Sequence, residues 1–242
     1  MTLYEALKHT IADEIGPVYA RDFTHEKSEL LSEDEKEKYE LLGRIASLHT
    51  DIQNGEVSFY SSVIWNDKTK VRKQFFSERE YICLSSLSFS QLPLNLRAKV
   101  LDILWTNTEK KEYAKDAARS YKDLFIKSFS AEEWVESLGF AERALFITRQ
   151  IDNTELALDI YRLVEEILNE LDLQEEGFLP IRLLHILAEN EASELTAYIE
   201  IAQEIIKHQS GNPAIVEQAY RFIQFCFNRK GYKKEEKKAI EL

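Results

Sequence analysis

A chain of 242 residues can bury a sizeable core, and 44% hydrophobic with 31% charged residues, broken by only seven Gly and four Pro, favours long helices over a turn-rich β fold. A net charge of -12 repels a phosphate backbone, because nucleic-acid affinity starts with Lys and Arg displacing counterions, so a broad nucleic-acid groove is not expected. No apolar stretch approaches a membrane span and no basic segment leads into an apolar run at the N-terminus, so a cytoplasmic chain is expected.

In chain order, "LYEALKHTIADEI" predicts a first helix, and "SEDEKEKYELLGRIASLHTDI" a second, opened by a Ser32 to Glu35 capping box and packed on the first across a polar loop. Residues 54 to 76, "NGEVSFYSSVIWNDKTKVRKQFF", are rich in β-branched and aromatic residues. They predict a short β-hairpin turning at "NDKT", or an extended loop strapped across the helices, and any strand is expected to be confined to this segment. "SEREYICLSSL" opens a further helix from Ser77, with Glu80 as its capping partner, and leads to Pro93.

From residue 94 the pattern becomes a series of helical hairpins whose first helices start near 94, 131, 178 and 212, intervals too uneven for a regular array. In the first, Ala114, Ala117 and Ala118 would let two helix backbones approach closely, as in a tetratricopeptide repeat, although the glycine and terminal proline of that family are missing. The second starts at "FSAEEW", with Ser130 and Glu133 as a capping box and Phe129 and Trp134 as a hydrophobic staple. Its apolar face, Trp134, Leu138, Ala141, Leu145 and Thr148, is expected to pack antiparallel against Leu156, Ile160, Leu163, Ile167 and Leu171 of a helix capped by Asp152 with Glu155. "GFLPIRLLHILAEN" and "SELTAYIEIAQEIIKHQ" form the third pair, and Asn212 caps a fourth whose first helical residue is Pro213. The expectation is an all-α, irregular antiparallel helical-hairpin superhelix of the TPR or HEAT type. It comprises N-terminal helices and an irregular segment (1–93), a hairpin region (94–230) and a basic tail (231–242), joined as one elongated domain.

Little in the chain announces chemistry. Cys83 and Cys226 sit in apolar surroundings, where free Cys acts as a small buried hydrophobe, which fits a reducing compartment. The five His are scattered and neither Cys has a second Cys or His at ligand spacing, so no metal and no cofactor is expected. Arg44 and His49 in "RIASLH" match the Arg-x4-6-His spacing of HEPN-type ribonucleases, in which the pair flanks an RNA phosphate. Chance alone supplies roughly 0.7 such spacings at this composition, and on a helix the two positions lie about 140° apart. Adjacent Glu pairs read as solvated helix faces. The short basic run "RKGYKKEEKK" carries +4 and reads as a solvated surface tract. Tyr60, Trp65, Tyr113 and Tyr121 are candidates for a partner-binding groove, since hot spots favour aromatic side chains. Trp105 and Trp134, where consecutive hairpins must meet, are expected to fill gaps between helices.

The run "SVIWNDKTKVRKQF" through "LPLNLRAKVLDILW" to "YAKDAARSY" resembles the N-terminal helical half of large bacterial proteins of uncharacterised function, over about residues 59 to 170. Those proteins carry a HEPN-like Arg-Asn-x-x-Ala-His-Gly segment in a separate C-terminal half and are similar to components of defence against phage. This chain contains no such segment, so the resemblance implies either a fragment cut before the active half or a short relative that keeps only the scaffold. The expected function is a non-catalytic helical interaction module of a bacterial protein, with another protein or a missing C-terminal domain as its partner; the alternative is a metal-independent ribonuclease using Arg44 and His49.

Overall fold

A computed structural model describes residues 33–46, 48–53, 55–61, 76–171, 178–190 and 195–230. The expected helix over "LYEALKHTIADEI", Ser32, Trp65, the "NDKT" turn and the tail 231–242 lie outside the described residues. The described chain is mostly helical with one small antiparallel sheet, and it divides into two compact units, Met1–Leu156 and Ala157–Leu242.

The first unit opens with α1 (Glu33–Ala46), whose Leu41, Leu42 and Ile45 are buried on one face. The helix ends there, and "LHTDIQ", read from sequence as its last turns, is instead strand β1 (Leu48–Gln53). The reason is a change of period: Leu48, Thr50 and Ile52 turn inward while His49, Asp51 and Gln53 are exposed, an alternation that only a strand satisfies. β1 pairs with β2 (Glu56–Ser61) from Gln53↔Glu56 to Leu48↔Ser61, closed by the two residues 54 and 55. Asn-Gly is the strongest short hairpin signal, and Gly55 has the φ of +77° that such a turn requires. The hairpin therefore lies earlier than the sequence suggested, and strand is not confined to 54 to 76.

Ser77 opens α2 (Glu78–Ser85) through the expected capping box, with the Glu80 N–H donating to Ser77 Oγ at 3.3 Å and the Ser77 N–H to Glu80 Oε2 at 2.5 Å. A 3-10 turn (Phe89–Gln91) and Pro93 lead into α3 (Leu94–Thr108), which packs on both α1 and α2. Leu42, Ile45, Leu48, Phe59, Leu84 and Leu104 are among the residues of the core these elements share.

α4 (Lys111–Ser130) packs back on α3 and then on α5 (Trp134–Gln150). Ala114, Ala117 and Ala118 are fully buried, as small residues at a close helix contact must be. The connection to α5 corrects the expected cap. Ser130 belongs to the last turn of α4, its hydroxyl donating to the Ile126 carbonyl, and Glu133 precedes α5 without a side-chain cap bond. The corner is a Schellman motif: Glu132 takes φ +63°, the Glu133 N–H reaches the Ser128 carbonyl at 3.0 Å, and the Glu132 N–H reaches that of Phe129 at 3.0 Å. Phe129 and Trp134 still meet edge to face, 4.6 Å between centroids. α5 ends the same way at Asp152, φ +56°, with the Asn153 N–H on the Thr148 carbonyl. Asp152 is thereby committed to the end of α5, and Asn153 caps α6 (Thr154–Glu170) by accepting from the Leu156 N–H.

In the second unit α7 (Leu179–Asn190), α8 (Leu195–His208) and α9 (Pro213–Lys230) pack on one another, α8 most extensively on α9. Asn212 and Pro213 start α9 as expected, with Asn212 Oδ1 facing the Ile215 N–H at 3.5 Å. Its core is apolar, with Leu183, Leu184, Ala202, Ile205, Ala219, Phe222 and Cys226 all fully buried. No helix among the described residues is long and apolar enough to cross a membrane.

Candidate functional site

Two polar constructions stand out in the first unit, and both arise because β1 and β2 are pressed against α3 and α5. In the first, Asp102 lies in the apolar run Val100-Leu101-Asp102-Ile103-Leu104 of α3 and is completely buried. Arg143 of α5, 4% exposed, meets it as a two-pronged fork, Nη2 to Oδ1 at 2.6 Å and Nε to Oδ2 at 2.9 Å. The remaining prong, Nη1, donates to the Gly55 carbonyl at 2.8 Å. Tyr121 of α4 donates its hydroxyl to Asp102 Oδ2 at 2.9 Å.

Burial alone would lower the Arg143 pKa, but the Asp102 carboxylate overrides it and raises it, so the guanidinium stays charged. Burial and the same carboxylate hold the Tyr121 phenol well above its usual range. Arg143 also lies over the rings of Trp105 and Phe146, at 5.3 and 5.1 Å from their centroids. Every strong donor here is used to tie α3, α4, α5 and the hairpin turn together. Gly55 shows how tightly, since a Cβ added to it would lie 2.6 Å from Phe146 Cβ and 2.9 Å from the Glu142 carbonyl.

The second construction is a cleft of ≈ 420 Å³. One wall is β1 from Leu48 to Ile52, another is Asn95 and Lys99 on α3, and the third is Val135, Glu136, Gly139 and Phe140 on α5. Phe140 packs on Tyr121 behind it, so the cleft and the ion network share a wall. Lys99 is 7% exposed; its Nζ donates to the Leu48 carbonyl at 2.6 Å and approaches that of Ala46, at the end of α1, at 3.5 Å. Burial lowers its pKa to about 8. Thr50 Oγ1 is buried with no hydrogen-bond partner. Val135 is 85% exposed at the rim, beside the exposed Asp51 and Glu136 carboxylates.

The residues singled out from sequence fall in separate places. Arg44, on α1, is paired with Glu80 at 2.5 Å and lies over the Phe76 ring at 4.9 Å. His49 is on β1, exposed where the strand lines the cleft, so the two do not share a helix. Tyr121 is 1% exposed and has no surface to offer a partner, which corrects its place among the groove aromatics. Tyr113 is half-buried, edge-on to Phe89 at 6.0 Å with the Lys110 ammonium over its ring. Tyr60 is a β2 residue paired with His49, while Trp65 and the Tyr60 side chain lie outside the described residues. Trp105 and Trp134 are half-buried and engaged by neighbours on other helices. Among the described residues no group of three His, Cys, Asp or Glu is placed to hold a metal ion.

Sequence reasoning missed Asp102, Arg143, Lys99 and Gly55. A signal existed for the first, because a carboxylate flanked by two apolar residues on each side of a helix can only be buried, and a buried charge needs a partner.

One family, described as a domain of unknown function (DUF7380), matches residues 17–160. That is more than half of the chain, and it takes in the hairpin, the ion network and the cleft. No curated protein and no solved structure matches.

Proposed function

This chain belongs to the DUF7380 family, and we propose that it serves as a non-catalytic α-helical interaction module, its helix pairs stacked in the manner of an irregular TPR or HEAT array. The observation that carries the reading is the division of labour around the cleft. The buried cations are spent on the fold, Arg143 on Asp102 and Gly55, Lys99 on Leu48, whereas the rim offers an exposed Val135 and two carboxylates to an incoming surface. Groups committed to internal bonds hold a shape; groups left at a rim make contacts. The phage-defence setting implied by the sequence resemblance would supply the partner as a second chain or domain carrying the reactive part.

Photo-crosslinking residues placed singly at the exposed apolar positions Ile82, Ile126 and Val135 test the proposal in the native host. A discrete crosslinked protein from at least one position is the expected result, and no crosslink from any position defeats the module reading. The ribonuclease alternative is tested by incubating the chain with mixed RNA: intact RNA is expected, and cleavage that disappears in His49→Ala would replace the scaffold with an enzyme.

A further inference from the structure

Among the described residues β1 has a single neighbour in its sheet. In an antiparallel ladder opposite residues alternate between exchanging both main-chain hydrogen bonds and exchanging none. The pair flanking a two-residue turn exchanges both, so Gln53, and by alternation Asp51 and His49, bond to β2. Leu48, Thr50 and Ile52 therefore direct their N–H and C=O groups to the opposite edge. Lys99 corroborates this, since its ammonium reaches the Leu48 carbonyl from that side.

Past Leu48 the edge runs along the cleft, and among the described residues no main-chain group bonds to Thr50 or Ile52 on that side. The buried, unpartnered Thr50 hydroxyl lies in the same cleft. Unpaired strand edges are costly to leave open, and proteins cover them or use them. The charge around this edge selects what covers it. Asp51 accepts from Gln53, and among the described residues no cation pairs with the Asp51 or the Glu136 carboxylate, while Lys99 is already turned onto Leu48.

We propose that the cleft is a strand-addition site, in which an extended, Lys- or Arg-bearing segment of a partner protein lies along β1 as a third strand. Its main chain exchanges hydrogen bonds with Thr50 and Ile52. One cationic side chain meets Asp51 on the outer face of the strand, and another meets Glu136 on the face toward α5. An α-helical segment does not fit, because its main-chain groups are already bonded internally and would leave the strand edge unpaired. The inference rests on the module reading and adds to it a place and a chemistry.

The probe is a displayed library of random linear dodecapeptides panned on the full chain. Enriched peptides are expected to carry Lys or Arg among β-branched residues and to shift the Thr50 and Ile52 amide resonances. Binding should weaken by about tenfold or more in Asp51→Lys/Glu136→Lys, whose two positions are exposed and leave the circular dichroism unchanged. N-methylation of alternate peptide amides in one register should abolish binding, and in the other register leave it intact. Peptides that bind regardless of N-methylation, that map elsewhere, or that ignore the charge reversal overturn strand addition, as does the absence of any enriched peptide. Should crosslinks form at Ile82 or Ile126 while no peptide binds the cleft, strand addition falls and the module reading stands.

Discussion

The two units are held together by different physics. Among the described residues every buried Lys, Arg, Asp, Ser and Thr side chain belongs to the first unit: Lys99, Asp102, Ser120, Ser128, Ser137, Arg143 and Thr148. The second closes on aliphatic and aromatic side chains, with His185 half-buried between Phe222 and Phe225. Apolar burial is non-directional and tolerates many packings, whereas a forked ion pair has one geometry. The first unit thus has a unique internal register at the cost of desolvating charges, and the family match falls largely on it.

Breaking the ion network is the strongest test of this contrast. Asp102→Asn or Arg143→Met leaves the other charge buried and unpaired, and denaturant titration should show a loss of about 3–5 kcal/mol. Asp102→Leu combined with Arg143→Met should recover much of it, because the orphaned charge is gone. A single-variant loss below about 1 kcal/mol, the level of an exposed pair, would erase the distinction between the units.

Next in size is Gly55→Ala, which places a Cβ at φ +77° and within 2.6 Å of Phe146 Cβ. A denaturation midpoint lowered by the equivalent of about 2 kcal/mol or more is expected, with the Arg143 to Gly55 bond strained as well.

Lys99 gives the contrast a pH dependence. Its folded pKa of about 8 lies below the ordinary 10.5, so between those values the unfolded chain binds the extra proton and stability rises with pH. The gain from pH 8 to pH 10 should be about 2 kcal/mol and should vanish in Lys99→Met. Tyr121 acts oppositely above pH 10, where the unfolded phenol ionises first and stability declines, so the slope attributable to Lys99 is read below that point.

The smallest effect is expected in the second unit. Leu184→Met, a swap of similar volume at a fully buried position, should cost less than about 1.5 kcal/mol in the same titration. A much larger loss would show a core as geometrically exacting as that of the first unit.

Local signals were legible in the sequence because their physics is local. Ser77 and Glu80 are three residues apart and satisfy each other; Asn212 and Pro213 start a helix through their own backbone preferences; the Ala114, Ala117 and Ala118 face announces a close contact whatever its partner. The same local logic misplaced Ser130 and Asp152, since a capping pattern is also compatible with the last turn of the preceding helix, and left-handed corners at Glu132 and Asp152 decided the matter. The hairpin was within reach: Asn-Gly between alternating residues marks a turn, but the helical stripe of α1 was carried past Ala46 into a period of two.

By itself, then, the sequence determined where most helices lie and which faces are apolar, because a period of 3.6 residues and a capping pair are properties of a few neighbouring residues. Only the tertiary structure decided which helices meet, that the carboxylate of Asp102 faces a guanidinium 41 residues away, and that the guanidinium also holds a turn 88 residues before it. It alone decided that one edge of β1 borders a cleft while Tyr121 is sealed inside. The physical reason is that a charge or an open strand edge in an unfolded chain is satisfied by water and leaves no periodic trace. Its partner is fixed only when burial removes that water and the nearest complementary group, however distant in sequence, must take its place.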